Sequence, residues 1–250
     1  MPLAGGNATL GVVRVGSTVR RPSLPSTPSV VALLEHYARE GVTCVPEVLG
    51  YDERGRLITR YVEGSASPDP SDLSLEDLRI IGRLVRKLHD VATTFHAPTN
   101  ATWNVLLSSD GEELICHHDL APWNLVRGEG NFTFIDWDGA GPGTRLGDLA
   151  YAAHGFVALS PRSGLSDHEA MARLVALVDG YGLKGEQRLA LSAILADRVR
   201  SMYEFLRASS ATNREPWARL WREGHGEMWL ADALYVDQRS DLWRAALRGA

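Results

Sequence analysis

The chain has 250 residues, enough for one large domain or two lobes with an ample core, and its 44% hydrophobic and 23% charged content is ordinary for a globular protein. A net charge of −5 argues against a general nucleic-acid binder, which needs a basic surface. Two distant cysteines, Cys44 and Cys116, form neither a disulfide framework nor a zinc-ligand spacing, and no apolar run approaches the length of a membrane span. The opening Met1-Pro2-Leu3-Ala4-Gly5-Gly6 carries neither the basic nor the apolar segment of a targeting signal, so the expected location is cytoplasmic.

In chain order, Thr9 to Val15 reads as a strand, Gly16-Ser17 as a turn and Thr18 to Arg21 as a second strand closed by Pro22. The Pro- and Ser-rich stretch 21–28 reads as a loop. Ser29 to Arg39 has Val30, Leu33, Leu34 and Tyr37 at helical spacing. Two more strands are expected over 47–51 and 56–62, joined by the turn Asp52-Glu53-Arg54-Gly55. Glu63 to Pro70 reads as a linker. Ser74-Leu75-Glu76-Asp77 then opens a long helix to about Val91, with Leu78, Ile81, Leu84, Val85 and Leu88 on one face. Short strands follow at 114–116, 125–127 and 132–135, and from Asp148 to the end the pattern is helical. The fold class is therefore α+β and two-lobed: a small β-rich lobe over residues 1–64, and a larger, mainly helical lobe over 65–250.

The stretch Cys116-His117-His118-Asp119-Leu120-Ala121-Pro122-Trp123-Asn124, with Asp136 after it, has the form H-x-D-x4-N-x11-D. Phosphoryl transfer from a Mg-nucleotide needs such a set: one carboxylate where the attacking hydroxyl lies, and an amide oxygen and a second carboxylate for metal ions that bridge the phosphates. The plainer alternative is a loop using Asp and Asn as turn formers.

These residues, with Ile135-Asp136-Trp137-Asp138 and Gly147-Asp148-Leu149-Ala150-Tyr151, resemble the aminoglycoside phosphotransferase and choline kinase superfamily, small-molecule kinases of the protein-kinase-like fold. The resemblance implies Asp119 as the catalytic carboxylate and Asn124 and Asp136 as Mg²⁺ ligands. It makes His117 structural and leaves His118 between a phosphate- or substrate-facing role and a solvent-facing one. Asp138 serves either the metal, through water, or the turn after Asp136; Asp148 would cap the next helix. Ala121 stands where protein kinases usually carry a lysine, which disfavours a protein substrate.

The resemblance also exposes a departure. The family's phosphate-binding strand lysine is missing, since the only lysines are Lys87 and Lys184. Arg20 and Arg21 are the candidates, with Arg20 favoured and Glu35 as its possible helix partner. Gly5, Gly6 and Asn7 would drape backbone N–H groups over the phosphates. Backbone groups of Tyr61 and Val62 would read the nucleobase of ATP, or of GTP. For a cationic acceptor, Glu204, Glu223 and Glu227 are the acidic candidates, with Trp217, Trp221 and Trp229 nearby.

The expected function is Mg-ATP-dependent transfer of the γ-phosphate to a hydroxyl of a small molecule: an aminoglycoside-like compound, an amino alcohol or a sugar. The rival is a non-catalytic, pseudokinase-type protein that binds nucleotide or a partner. Neither nucleic acid nor membrane is an expected partner.

Overall fold

The computed structural model describes residues 11–66, 69–107 and 111–249. Gly5, Gly6 and Asn7 lie outside the described residues. The chain divides into two compact units, one of Met1–Pro68 and Lys87–Thr144, the other of Asp69–Arg86 and Arg145–Ala250. This grouping differs from a division at residue 64, because the segment carrying the H-x-D pattern belongs with the N-terminal strands.

In the first unit, β1 (Val13–Val15), β2 (Thr18–Arg21), β3 (Val48–Tyr51) and β4 (Leu57–Arg60) form an antiparallel sheet in the order β1-β2-β4-β3. Gly16, at φ 60°, supplies the left-handed turn between β1 and β2. Residues directly paired across an antiparallel ladder share a face, and faces alternate along each strand. Val19 pairs with Thr59 and Arg21 with Leu57, and both Thr59 and Leu57 are buried. Val19 and Arg21 therefore sit on the inner face, while Arg20, opposite Ile58, sits on the other.

Helix α1 (Thr27–Arg39) starts two residues earlier than the apolar spacing suggested. Pro28 falls in its first turn, where a missing N–H costs nothing. Val30, Leu33, Leu34 and Tyr37 are buried along its inner stripe. The expected linker is only partly a linker, for Ser65–Ala66 forms β5 and pairs with β7 (Leu125–Arg127), which pairs in turn with β8 (Phe132–Phe134). β6 (Leu114–Cys116) pairs with β9 (Gly141–Gly143), a strand that its Gly-Pro-Gly composition conceals.

Helix α2 (Leu75–Ala92) opens with the expected box: Asp77 N–H donates to Ser74 Oγ, and Ser74 N–H donates to Asp77 Oδ2. The second unit holds its first part together with α3 (Arg145–Val157), α4 (Asp167–Tyr181), α5 (Glu186–Ala211), α6 (Trp217–Arg222), α7 (His225–Gln238) and α8 (Ser240–Arg248). Helix α3 begins three residues before Asp148, which is thus inside the first turn and buried, not a cap. The long α5 packs on α3, α6, α7 and α8. Helices α2 and α4 touch backbone to backbone: a Cβ on Gly82 would lie 2.2 Å from the Leu177 carbonyl oxygen, and one on Gly180 2.1 Å from that of Arg79.

Two buried charges organise this unit. Arg173 donates to the carbonyls of Leu73 (2.7 Å), Pro70 (2.5 Å), Phe156 (3.0 Å) and Val157 (3.2 Å), closing the C-terminal end of α3. Asp232, on α7, accepts from His154 Nε2 (3.0 Å), Arg162 Nη2 (3.0 Å) and Ser160 Oγ (2.6 Å). Burial alone would raise the Asp232 carboxyl, but the bonds from His154 and Ser160 and the nearby Arg162 hold it below its ordinary value.

Candidate active site

The H-x-D segment leaves β6 at Cys116 and closes through a 3₁₀ turn, Pro122–Asn124, into β7. Hairpin register then does the positioning. Leu125 pairs with Phe134, so the residues just outside the ladder, Asn124 and Ile135, meet as well: Ile135 N–H donates to the Asn124 carbonyl at 2.8 Å. Asp136 follows immediately. A separation of eleven residues along the chain thus becomes adjacency across a hairpin mouth.

Asp119 is held from both sides. Asn124 Nδ2 donates to its Oδ2 (2.7 Å) and to its backbone carbonyl (3.0 Å), and Trp123 Nε1 donates to its Oδ1 (3.3 Å). Its own N–H donates to His117 Nδ1 (3.3 Å), while His117 Nε2 lies 3.1 Å from the Ile135 carbonyl. Those partners assign His117 the tautomer protonated at Nε2, since Nδ1 must accept. The buried His117 ring rests on Trp137 at 4.5 Å, and Trp137 meets Tyr37 of α1 at 5.4 Å. One aromatic stack therefore ties the Asp119 loop, the Asp136 turn and α1 together.

His118 takes neither expected role. Its Nε2 sits on the carbonyls of Gly141 (3.1 Å) and Pro142 (3.0 Å) of β9, over a glycine that leaves it space: a Cβ on Gly143 would lie 2.7 Å from its ring. The residue is a brace between β9 and the loop. His118 and Asp136 have φ of 65° and 61°, and among the described residues only Ala158 and Asn213 are other non-glycine residues in that region. Two strained backbones at one cluster mark a site whose geometry the surrounding structure enforces.

The strand cation that reaches this cluster is Arg21. Its Nη2 lies 2.8 Å from Asp136 Oδ1 and 2.5 Å from Asp138 Oδ2. Burial pulls the Arg21 guanidinium down, but the two carboxylates outweigh it and leave its pKa above the ordinary arginine value. Its Nε–H is buried with no acceptor among the described residues. Arg20, favoured at the sequence level, instead turns to Asp52 at 3.8 Å and to Thr18. Strand alternation explains the difference, and Val19 was its readable marker: a residue two places from an inward valine also faces inward. Glu35 is exposed and forms no ion pair among the described residues. Tyr61 gives its N–H to the Ser17 carbonyl (2.8 Å), serving the sheet end, and its ring lies 3.5 Å from the Arg14 guanidinium. Val62, next to it, is half-buried.

The second unit answers for the acidic candidates. Glu204 pairs with Arg207 at 2.6 Å and Glu223 with Arg219 at 3.6 Å, while Glu227 is exposed. Trp229 is buried against Tyr151 and His154, so it belongs to the core. Ion pairs neutralise two of the three acids proposed for a cation pocket.

The oxygens gathered in the first unit suit a hard divalent cation. Asp119, Asp136 and Asp138 offer carboxylates and Asn124 an amide, whereas both neighbouring imidazoles sit on backbone carbonyls.

Residues 96–192 match the phosphotransferase enzyme family. The chain is 32% identical over 238 residues to the trifolitoxin immunity protein of Rhizobium leguminosarum bv. trifolii, covering 88% of this chain and 90% of that one. Among solved structures it is similar to a choline/ethanolamine kinase family protein from Mesorhizobium loti (TM-score 0.62, 17% identity, 99% and 94% of the two chains). It is also similar to an amicoumacin kinase in complex with AMP-PNP, Ca²⁺ and Ami (TM-score 0.61, 11% identity, 77% and 75%).

Proposed function

Because this chain belongs to the phosphotransferase enzyme family, of the aminoglycoside phosphotransferase and choline kinase type, we propose that it moves the γ-phosphate of ATP to a small-molecule hydroxyl at Asp119. The observation that carries the reading is the Asp119–Asn124 contact at 2.7 Å, placed by the hairpin beside Asp136. Asp119 orients the acceptor hydroxyl and receives its proton. The acceptor oxygen forms its bond to the γ-phosphorus as the bond to the bridging oxygen breaks, and ADP leaves with that electron pair. Asn124 and Asp136 would hold Mg²⁺, with Asp138 beside them. Bound there, the cation would neutralise charge on the β- and γ-phosphates.

Arg21 takes the part of the strand lysine. Its buried Nε–H and its position against Asp136 suit a phosphate oxygen as acceptor, and a guanidinium binds phosphate in two-pronged fashion. Gly5, Gly6 and Asn7 remain our choices for the phosphate contacts, and backbone groups of Tyr61 and Val62 for the base. We place the reaction in the cytoplasm, where ATP is at hand.

The acceptor we propose is a hydroxyl-bearing antibiotic or toxin, inactivated by phosphorylation. The support lies in what the relatives are named for: immunity to trifolitoxin in one, an amicoumacin kinase in another. A non-catalytic role is disfavoured, because a chain released from catalysis has no need of Asp119, Asn124 and Asp136 together.

Thermal unfolding with ATP or GTP, with and without Mg²⁺, tests the nucleotide half. A ligand at 100 times its Kd adds about 2.7 kcal/mol, and the rise should require the metal. No rise with either nucleotide would defeat the proposal. Labelled ATP with trifolitoxin, amicoumacin, kanamycin, choline and ethanolamine then tests the acceptor: label on the first two supports the toxin reading, and label only on choline or ethanolamine replaces it with an amino alcohol.

A further inference from the structure

Trp123 is 43% exposed, an unusual state for a tryptophan in a catalytic loop whose other large side chains are buried. Burial of the ring is therefore not what the residue mainly contributes. Its polar handle points elsewhere than those of its buried counterparts. Trp137 Nε1 donates to the Phe134 carbonyl at 2.9 Å and Trp243 Nε1 to the Val236 carbonyl at 3.0 Å, in each case a backbone oxygen of the preceding element. Trp123 Nε1 donates to a carboxylate, Asp119 Oδ1, at 3.3 Å. Asp119 Oδ2 is already held by Asn124 at 2.7 Å, so the two donors grip opposite oxygens of one carboxylate. The 3₁₀ turn Pro122–Asn124 makes the double grip possible by turning consecutive residues, four and five places on, back toward Asp119.

We infer that Trp123 is a positioning residue for Asp119: with Asn124 it fixes the plane of the carboxylate, so that the oxygen meeting the acceptor hydroxyl is always the same one. This rests on Asp119 being the carboxylate of phosphoryl transfer. A carboxylate gripped at one oxygen only is free to rotate about its last bond, and positioning is most of what such a group contributes. An arrangement tuned for stability alone would bury the ring.

The experiment uses the full chain labelled with ¹⁵N at its seven tryptophan indoles. The Trp123 N–H resonance is identified by its loss in Trp123→Phe. In Asp119→Asn it should move while the other indole resonances stay. Alongside, phosphate release from Mg-ATP with water as acceptor should show kcat reduced about fivefold in Trp123→Phe with the KM for ATP unchanged, the loss expected of one long hydrogen bond to a charged group. Trp123→His, which keeps a ring N–H, should recover part of that loss. A Trp123 resonance indifferent to Asp119→Asn overturns the inference, as does wild-type kcat in Trp123→Phe. If instead the resonance moves but Asp119→Asn keeps its turnover, the contact stands and the catalytic reading of Asp119 falls.

Discussion

Both units set a carboxylate beside an arginine, and the two sites differ in how far that carboxylate is enclosed. Asp232 is alone among three donors, His154, Ser160 and Arg162, and is itself 3% exposed. Its charge is matched and its oxygens are engaged. In the first unit one guanidinium, that of Arg21, meets two carboxylates, Asp136 and Asp138, and the Asp136 side chain stays 38% exposed. A buried carboxylate enclosed by its partners fixes structure, whereas one that keeps a third of its surface open can still take a further cation. Exposure of the carboxylate thus separates a brace from a candidate site when both look alike as ion pairs.

Substitution should pull the two sites apart. Asp119→Asn should lower turnover by roughly 10³-fold while Mg-ATP still raises the melting temperature, whereas Asp232→Asn should leave kcat per folded molecule unchanged. Steady-state kinetics beside calorimetry checks both, and a large kcat loss at Asp232 would erase the contrast. In stability the order inverts. Asp232→Asn should cost about 3 kcal/mol by urea unfolding at pH 7, because it leaves His154 and Arg162 facing a neutral amide. The Asp232 carboxyl is held below its ordinary value in the folded chain, so its contribution is complete above the unfolded carboxyl value of about 4 and disappears as pH falls through the lower folded one. The wild type should therefore lose stability on the acid side more steeply than Asp232→Asn, which urea titrations below pH 5 would reveal.

Asp136→Ala should abolish the metal dependence of nucleotide stabilisation, a loss of up to about 2.7 kcal/mol at saturating ligand, seen as coincident melting curves with and without Mg²⁺. The smallest effect concerns Cys44. Burial pushes its thiol up to about 11, with Lys87 opposing that only in part, so the native chain at pH 8 should react with a thiol reagent much more slowly than the unfolded one.

What could be read beforehand follows the reach of each interaction. The spacing of Asp119, Asn124 and Asp136 and the chemistry of their side chains marked them as candidates, and the hairpin that brings Asn124 and Asp136 near each other is itself short-range information. The helix faces of α1 and α2 were legible for the same reason. The choice between Arg20 and Arg21 was available in the alternation that begins at Val19, yet alignment of 19–22 on the family's strand pointed to Arg20. The anchoring of His118 was not available, for its partners lie on β9, and Gly141-Pro142-Gly143 has nothing in its residue types that announces a strand. β5 was hidden likewise inside a stretch with every mark of a linker, because pairing with β7 outweighs local preference.

The grip of Arg21 on Asp136 and Asp138 has a consequence for the order of arrivals. An arginine cannot shed its proton, so while it stays on those carboxylates a bare metal ion must compete with a permanent tenant. On the proposed function, phosphates entering with their own Mg²⁺ would resolve the contest, since they would offer the guanidinium a new anion at the moment the carboxylates gain a new cation. Metal without nucleotide should then bind poorly, and Arg21→Ala should strengthen Mn²⁺ binding to the empty protein while weakening Mg-ATP, two opposite displacements measurable in one calorimeter. Seen this way, an arginine in the part of the usual lysine would work as a turnstile that admits the pair and turns away the single ion.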